Sequence, residues 1–459
     1  MTGTITSPNL PKLQRHDASD RKDMISDLPE SVLCYILSFL RTEEAVRTSV
    51  LATKWRYLWT HLSVYNFERC SVSKPNHKPA DCIVDLVNEL FHKSNRLEIE
   101  RLCITLKGNI VDAKKVSSLL SSAMMHNVHD LQLYLEPRNC RFVLPNSFSA
   151  SKSLNKLYIE FGFLDVIPDG ICFPSLKTLY ISHLTFTNEK SAQRLLSGCP
   201  VLQELTLNKC YWVNIKHISV SISTLRKLTV HFKSSCLDRN RCIVKIDAVN
   251  LLSLSYTSNP TINCFLVNST SIVDAYIDLG FFYAQTQRQL LNVSVFAFDL
   301  LSLLRSVEYL RLSDETIQCL NYAKPVLHLL PSFNNLTHLE VVLGYPSCEV
   351  LADILHKSPK LEVLHIYKGF YLSLDDEDWT SDSLPCCFKC SLKLCAISDF
   401  CGDEAEIQLV KFLLENVTVL RKMNIFCTGS LSENLEKLAD VRNQLQPLGM
   451  GSCVINLCH

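Results

Sequence analysis

The chain has 459 residues, with 46 Lys+Arg against 46 Asp+Glu and a formal net charge of zero. That length exceeds one ordinary core, so two or three domains or an elongated repeat array are expected. Balanced charge, with no Lys/Arg-rich run, argues against a general nucleic-acid or anionic-membrane binder, which needs a basic surplus. The expected partners therefore include no nucleic acid and no membrane.

Residues 1–20 are polar and read as a flexible tail without the apolar core of a signal peptide. No stretch reaches the roughly 18 unbroken apolar residues of a spanning helix. Even Leu290 to Leu304 is interrupted by Asn292 and Asp299. The 21 cysteines are odd in number and scattered, often at apolar positions such as Cys34, Cys103 and Cys210. Free cysteine is a small hydrophobe, so packing thiols in a reducing compartment, cytoplasm and/or nucleus, are expected. The sequons at Asn268, Asn292, Asn335 and Asn416 are then chance matches.

Ile25 to Trp59 reads ISDLPESVLCYILSFLRTEEAVRTSVLATKWRYLW. Asp27 can cap a helix opening at Leu28-Pro29-Glu30, where Pro29 loses nothing by lacking an N–H. Leu33, Ile36, Leu37 and Leu40 recur at spacings of three and four and give one apolar face. Thr42, with Glu43 and Glu44 behind it, marks a second helix, and Trp55, Leu58 and Trp59 a short third. Three short helices cannot bury this much apolar surface alone, so the rest of the chain or a partner must cover it.

This module resembles a plant-type F-box over its whole length. The matching pieces are Asp27-Leu28-Pro29, Ile36 to Leu40, Ala45 to Leu51, Lys54-Trp55-Arg56 and Leu58-Trp59, with Ala52 in place of the usual Ser. The resemblance implies a Skp-type adaptor, and through it a cullin, as partner. It places Leu28, Pro29, Ile36, Leu37, Val50, Leu51 and Trp55 against that adaptor, as aliphatic and Trp anchors of helix docking.

From residue 97 the pattern Leu-x-x-Leu-x-Leu keeps returning. Its copies begin at 154, 176, 202, 225, 251, 272, 307, 336 and 361, with degenerate units at Leu102–Leu106 and Leu131–Leu135. The intervals fall mostly in the leucine-rich-repeat range, apart from the longer step from 272 to 307, which holds an extra loop or a cryptic repeat. Each short strand buries its leucines and shows the intervening residues on a concave face. That face should carry Lys156, Tyr158, Tyr180, Glu204, Thr206, Lys227, Thr229, Tyr276, Tyr309, Arg311, His338, Glu340, His365 and Tyr367. Tyr158, Tyr180, Thr206, Arg311, Glu340 and His365 are the candidate contacts for an unknown protein substrate. Glu189–Leu196 and Ser347–Leu355 read as helices of the opposite face.

The C-terminal part implies a strand, then a helix with Leu409, Phe412 and Leu413 on one face, then a strand at Leu420–Ile425. It resembles the plant FBD domain, with a less certain last strand because the usual basic phrase is Leu448-Gly-Met-Gly-Ser-Cys453 here. A cap on the last repeat is the implied role. Cys386, Cys387, Cys390, Cys395 and Cys401 crowd this segment. Cys387-x-x-Cys390 could begin a zinc site, but no second pair or nearby His completes it, so packing is favoured.

No phosphate-cradling loop, nucleophile elbow or His-Glu-x-x-His is present, and His126 and His129 lack a third ligand. No catalytic residue, metal site or cofactor is therefore expected. The fold expected is α/β: a short N-terminal three-helix F-box, then a curved leucine-rich-repeat solenoid with a C-terminal FBD cap. The boundaries are tail 1–20, F-box 21–66, linker and first helix 67–96, repeats 97–373 and FBD-like domain 374–459. The resemblance to plant F-box/leucine-rich-repeat/FBD proteins implies a non-catalytic specificity subunit of a Skp–cullin–F-box E3 ubiquitin ligase. The alternative is a repeat scaffold that binds the adaptor without delivering a degradation substrate. Whether a small ligand completes the surface stays open at this point.

Overall fold

The computed structural model describes residues 24–67, 79–94, 98–107, 113–136, 141–160, 162–167, 170–213, 215–232, 242–258, 262–268, 270–280, 287–323, 327–344, 348–368, 384–445, 447 and 453–458. The expected tail, the acidic stretch Leu374–Trp379 and the phrase before Cys453 lie outside the described residues.

Among them, fifteen strands form one parallel sheet that follows chain order. It starts at Val64–Phe67, passes through Ile99–Lys107 and Val128–Glu136, and ends at Val454–Cys458. Every Leu-x-x-Leu-x-Leu copy supplies one of these strands. The reason lies in the register: Leu131, Leu157, Leu179, Leu205, Leu228 and Leu254 sit side by side on neighbouring strands, all buried. The last leucine of the motif makes a second buried row, as in Leu133, Ile159, Ile181 and Leu207. Each strand thus covers its neighbour's apolar edge and has no separate core.

Behind the sheet the connections differ with their length. The helix Glu189–Ser197 fills the step from 176 to 202, with Asn188 accepting hydrogen bonds from the N–H groups of Lys190 and Ser191. The long step from 272 to 307 contains the helix Gln287–Leu303, so a helix occupies the interval read as a loop or cryptic repeat. The helix Asp314–Tyr322 is fastened by Thr316, whose hydroxyl donates to Ile277 O and accepts from Leu279 N. Cys348–His356 forms the expected later helix.

Two small back sheets were not foreseen. Arg141–Val143, Phe163–Val166, Thr185–Phe186 and Tyr211–Trp212 form one, and His217–Ser221, Cys242–Asp247 and Ile262–Val267 the other. Phe186 and Trp212 stack there with ring centroids 4.6 Å apart. The steps starting at 154, 202, 225 and 251, of 21–26 residues, hold an extended return on this side, and the step from 176 holds both such a return and the helix Glu189–Ser197.

The C-terminal part extends the same sheet, and no described strand breaks the order. Leu394–Phe400, Lys422–Cys427 and Val454–Cys458 add to it, with a register shift between Ile397 and Phe400 and the helix Glu404–Asn416 between the first two. Cys395 fills a leucine slot beside Leu364 and Met423 and is buried, which raises its thiol well above the ordinary range. Burial likewise pushes Cys199, Cys210 and Cys319 up to about 12. These thiols are packing groups.

Candidate protein-interaction surfaces

The N-terminal module has two α-helices, α1 (Glu30–Leu37) and α2 (Thr42–Arg47). In place of the expected third helix it has 3-10 turns at Thr48–Val50, Thr53–Trp55 and Leu58–His61. Ala52 is extended between the first two turns, which prevents one continuous helix from Thr48 to Trp59.

Its core is Leu33, Leu37, Ala45, Trp55, Leu58, Trp59 and Leu62. Two of the seven expected contacts belong to this core. Leu37 is 0% exposed and Trp55 5%, so both serve the module's own packing. The Trp55 indole N–H donates to Ser26 Oγ at 2.8 Å, and Lys54 Nζ donates to the carbonyls of Ser26 and Leu28. Together they pin the segment before α1, leaving Leu28 half-buried and Pro29 exposed.

The other expected contacts face outward. Val50 is 87% exposed, Leu51 66% and Ile36 38%. Val32, Tyr35, Phe39 and Leu40 are exposed as well, with Tyr35 and Phe39 edge to face at 4.9 Å. Val32, Tyr35 and Phe39 were missed although the signal was there. They form a second apolar stripe at helical spacing, beside the Leu33–Leu37 stripe that fills the core. Exposed apolar side chains gathered in so small a module are of the kind that interaction sites use.

The second surface is the open face of the long sheet. All six candidate substrate contacts lie on one row across it, as register pairs. Tyr158, Tyr180 and Thr206 are adjacent, then come Thr229, Ser255 and Tyr276, then Arg311, Glu340 and His365. At about 4.8 Å per strand, Thr206 and Arg311 are roughly 19 Å apart, so the six make two groups and not one site.

In the first group the Tyr158 and Tyr180 rings lie 5.5 Å apart, and Asn208 Nδ2 donates to Tyr180 Oη at 3.1 Å. Desolvation raises the Tyr158 phenol, and raises Tyr134 to about 12, so both stay neutral donors. In the second group the Arg311 guanidinium lies over Tyr276 at 5.5 Å and Tyr367 at 5.6 Å, and pairs with Glu340 at 3.4 Å. His365 stacks on Tyr367 at 4.1 Å and bonds Ser398 Oγ at 2.8 Å. Burial lowers its pKa, outweighing the pull of Glu340, so it presents a neutral imidazole. Tyr309 and His338 stack beside them at 4.3 Å.

Tyr134, Asn208, Asp278 and Ser398 share this face and were not singled out from sequence. The residue after the last apolar position of each motif finds the first three, as it finds Tyr367.

Among the described residues the only His/Cys/Asp/Glu trio close enough to hold a metal is Cys401, Asp403 and Glu406. Those groups cap the helix Glu404–Asn416. Glu406 accepts from the N–H groups of Cys401 and Asp403, and Lys437 pairs with Asp403. No described helix is long and apolar enough to cross a membrane.

Family models agree with this division of the chain. One described as an F-box domain matches residues 25–67, and one described as "FBD-associated F-box protein At5g56370, LRR repeats" matches 116–276. The FBD model matches 381–425. Among curated relatives, the F-box/LRR-repeat protein At4g14103 of Arabidopsis thaliana is 31% identical over 367 residues, covering 77% of this chain and 93% of that protein. The chain belongs to the F-box/LRR-repeat family. A second Arabidopsis thaliana member, F-box/LRR-repeat protein At4g14096, is 29% identical over 460 residues, 96% of each chain. A third, the putative F-box/FBD/LRR-repeat protein At3g59240, is 28% identical over 450 residues, covering 91% of this chain and 86% of that protein. In this F-box/LRR-repeat protein, then, F-box, repeats and FBD segment follow one another along a single sheet.

Proposed function

We propose that the chain is the non-catalytic substrate-recognition subunit of a Skp–cullin–F-box ubiquitin ligase. The observation that carries this is the exposure of Val50 and Leu51, with Ile36, Val32, Tyr35 and Phe39, in the F-box. Burying four such side chains against an adaptor contributes on the order of 6–12 kcal/mol before the cost of association. The contacts in this reading are Pro29, Ile36, Val50 and Leu51 with Val32, Tyr35 and Phe39, while Leu37 and Trp55 shape the surface from beneath and Leu28 sits at its edge.

The repeats in this reading form a curved solenoid whose open face is concave and holds a protein target. Tyr158, Tyr180 and Thr206 grip at one place, Arg311, Glu340 and His365 at another. Tyr and Arg with pre-packed rings lose little freedom on binding, which suits them to such contacts. The chain then acts by proximity, raising the target's effective concentration beside a ubiquitin-loaded enzyme. Cytoplasm and/or nucleus is the fitting location, since free thiols persist there.

The test is target turnover. Proteins captured by the wild-type chain, and released by alanine at Tyr158, Tyr180, Arg311 and His365 together, should be ubiquitylated and should persist longer in cells lacking it. Captured proteins with neither ubiquitylation nor a changed half-life would replace this reading with the adaptor-bound scaffold.

A further inference from the structure

The five-residue helix Cys386–Cys390 reads Cys-Cys-Phe-Lys-Cys, and its three thiols divide between two environments. Cys387 and Phe388 are buried. The Cys387 thiol donates to Leu355 O at 3.8 Å, and Phe388 O accepts from Thr418 N at 3.0 Å. These contacts fix the helix against the preceding repeat and the following segment. Burial pushes the Cys387 thiol up to about 12 and withdraws it from solution chemistry.

Cys386 and Cys390 stand one turn apart on the opposite side, both exposed, with their Sγ atoms 3.6 Å apart. The core has no use for either. The sequence pattern pairs Cys387 with Cys390, whereas the fold pairs Cys386 with Cys390, because Cys387 faces inward. Two thiolates on one tetrahedral zinc, each at about 2.3 Å, stand roughly 3.8 Å apart. The thiol–thiol hydrogen bond thus holds the two sulfurs close to the spacing of such a chelate, without unwinding the helix. A disulfide would need the Cβ atoms drawn to about 3.8 Å, closer than the roughly 5–6 Å between positions i and i+4 of a helix.

We propose that Cys386 and Cys390 form a two-thiolate binding site for a single thiophilic divalent cation of the zinc type. On binding, two S–H bonds break, two metal–sulfur bonds form and two protons pass to solvent, with no change of oxidation state. Among the described residues no His, Asp or Glu stands close enough to both sulfurs to complete a set of three. Water or a small thiol fills the remaining positions, so the cation is exchangeable and leaves the fold independent of it.

Alkylation mapping on the reduced full-length protein tests this. With zinc chloride as the probe, and with zinc removed by a chelator, iodoacetamide labelling of each cysteine is followed by peptide mass spectrometry. Zinc should slow labelling of Cys386 and Cys390 together, by about tenfold or more. Cys390→Ser should abolish the protection at Cys386, and Cys386→Ser that at Cys390, with unchanged thermal stability because both side chains are exposed. Equal labelling rates with and without zinc overturn the proposal. So does protection of Cys386 that survives in Cys390→Ser.

Discussion

The backbone N–H of Asn66 donates a 2.7 Å hydrogen bond to Oγ1 of Thr42. Thr42 opens α2 of the F-box, and Asn66 lies in the first strand of the long sheet, pairing with Cys103. The sheet therefore begins inside the F-box module, ahead of the repeats expected from residue 97. Thr42→Val keeps the shape but removes the acceptor. Urea unfolding should show a loss of about 1 kcal/mol, the usual worth of such a bond. An unchanged midpoint would mean that this contact contributes nothing to joining the two parts.

The F-box separates packing residues from outward ones, and stability measurements should separate them too. Leu37→Ala opens a cavity in a fully buried site and should cost about 2–5 kcal/mol. Leu51→Glu changes an exposed side chain and should stay within about 0.5 kcal/mol of wild type. Comparable destabilisation by the two would contradict the assignment of inner and outer faces.

Thr316 has a fully buried hydroxyl that serves Ile277 O and Leu279 N and also contacts Ser313 Oγ. Thr316→Val leaves those backbone groups without this partner, at a cost of about 1–3 kcal/mol. Thr316→Ser retains the hydroxyl and should recover most of the loss in chemical denaturation. A loss for Thr316→Ser as large as that for Thr316→Val would contradict the hydroxyl as this side chain's main contribution.

Asp314 accepts hydrogen bonds from Gly344 N and Gln318 Nε2, yet desolvation outweighs them and raises its pKa above 3.8. A raised folded-state pKa means that ionisation costs the folded state more than the unfolded one. The penalty is absent below the ordinary carboxylate range and complete above the raised value. The stability of Asp314→Asn relative to wild type should therefore grow in the variant's favour as pH rises upward from 3.8, then level off. A difference that shrinks with rising pH would show the hydrogen bonds to dominate. Gly344 is needed beside this carboxylate, since a Cβ there would strike it.

Much of this was legible because leucine spacing dictates register. The positions of Leu157, Leu179 and Leu205 define the strands, and once those are set, Tyr158, Tyr180 and Thr206 must share the opposite face. The same logic reached Cys395, an apolar slot filled by a thiol. What could not be read was which side of a small helix faces the core. Ile36 and Leu37 are neighbours in one apolar motif, but one is outward and the other wholly buried. Resemblance places Trp55 against a partner, whereas burial of its ring and the bond from its indole N–H to Ser26 depend on folding that no motif reports. Back-face strands such as Thr185–Phe186 and Tyr211–Trp212 are too short to show a period of two. The distance between the two groups on the open face depends on the order of strands between them, which no single motif reports.

The central claim is that the outward F-box face holds a Skp-type adaptor. Its most direct test is the affinity of the purified full-length chain for such an adaptor, compared between wild type and Leu51→Glu, with unchanged thermal stability as the control for folding. The account predicts tight binding by the wild type and at least about a hundredfold loss, near 2.7 kcal/mol, in the variant. Equal affinity of the two folded proteins, or no adaptor binding by the wild type, would contradict it.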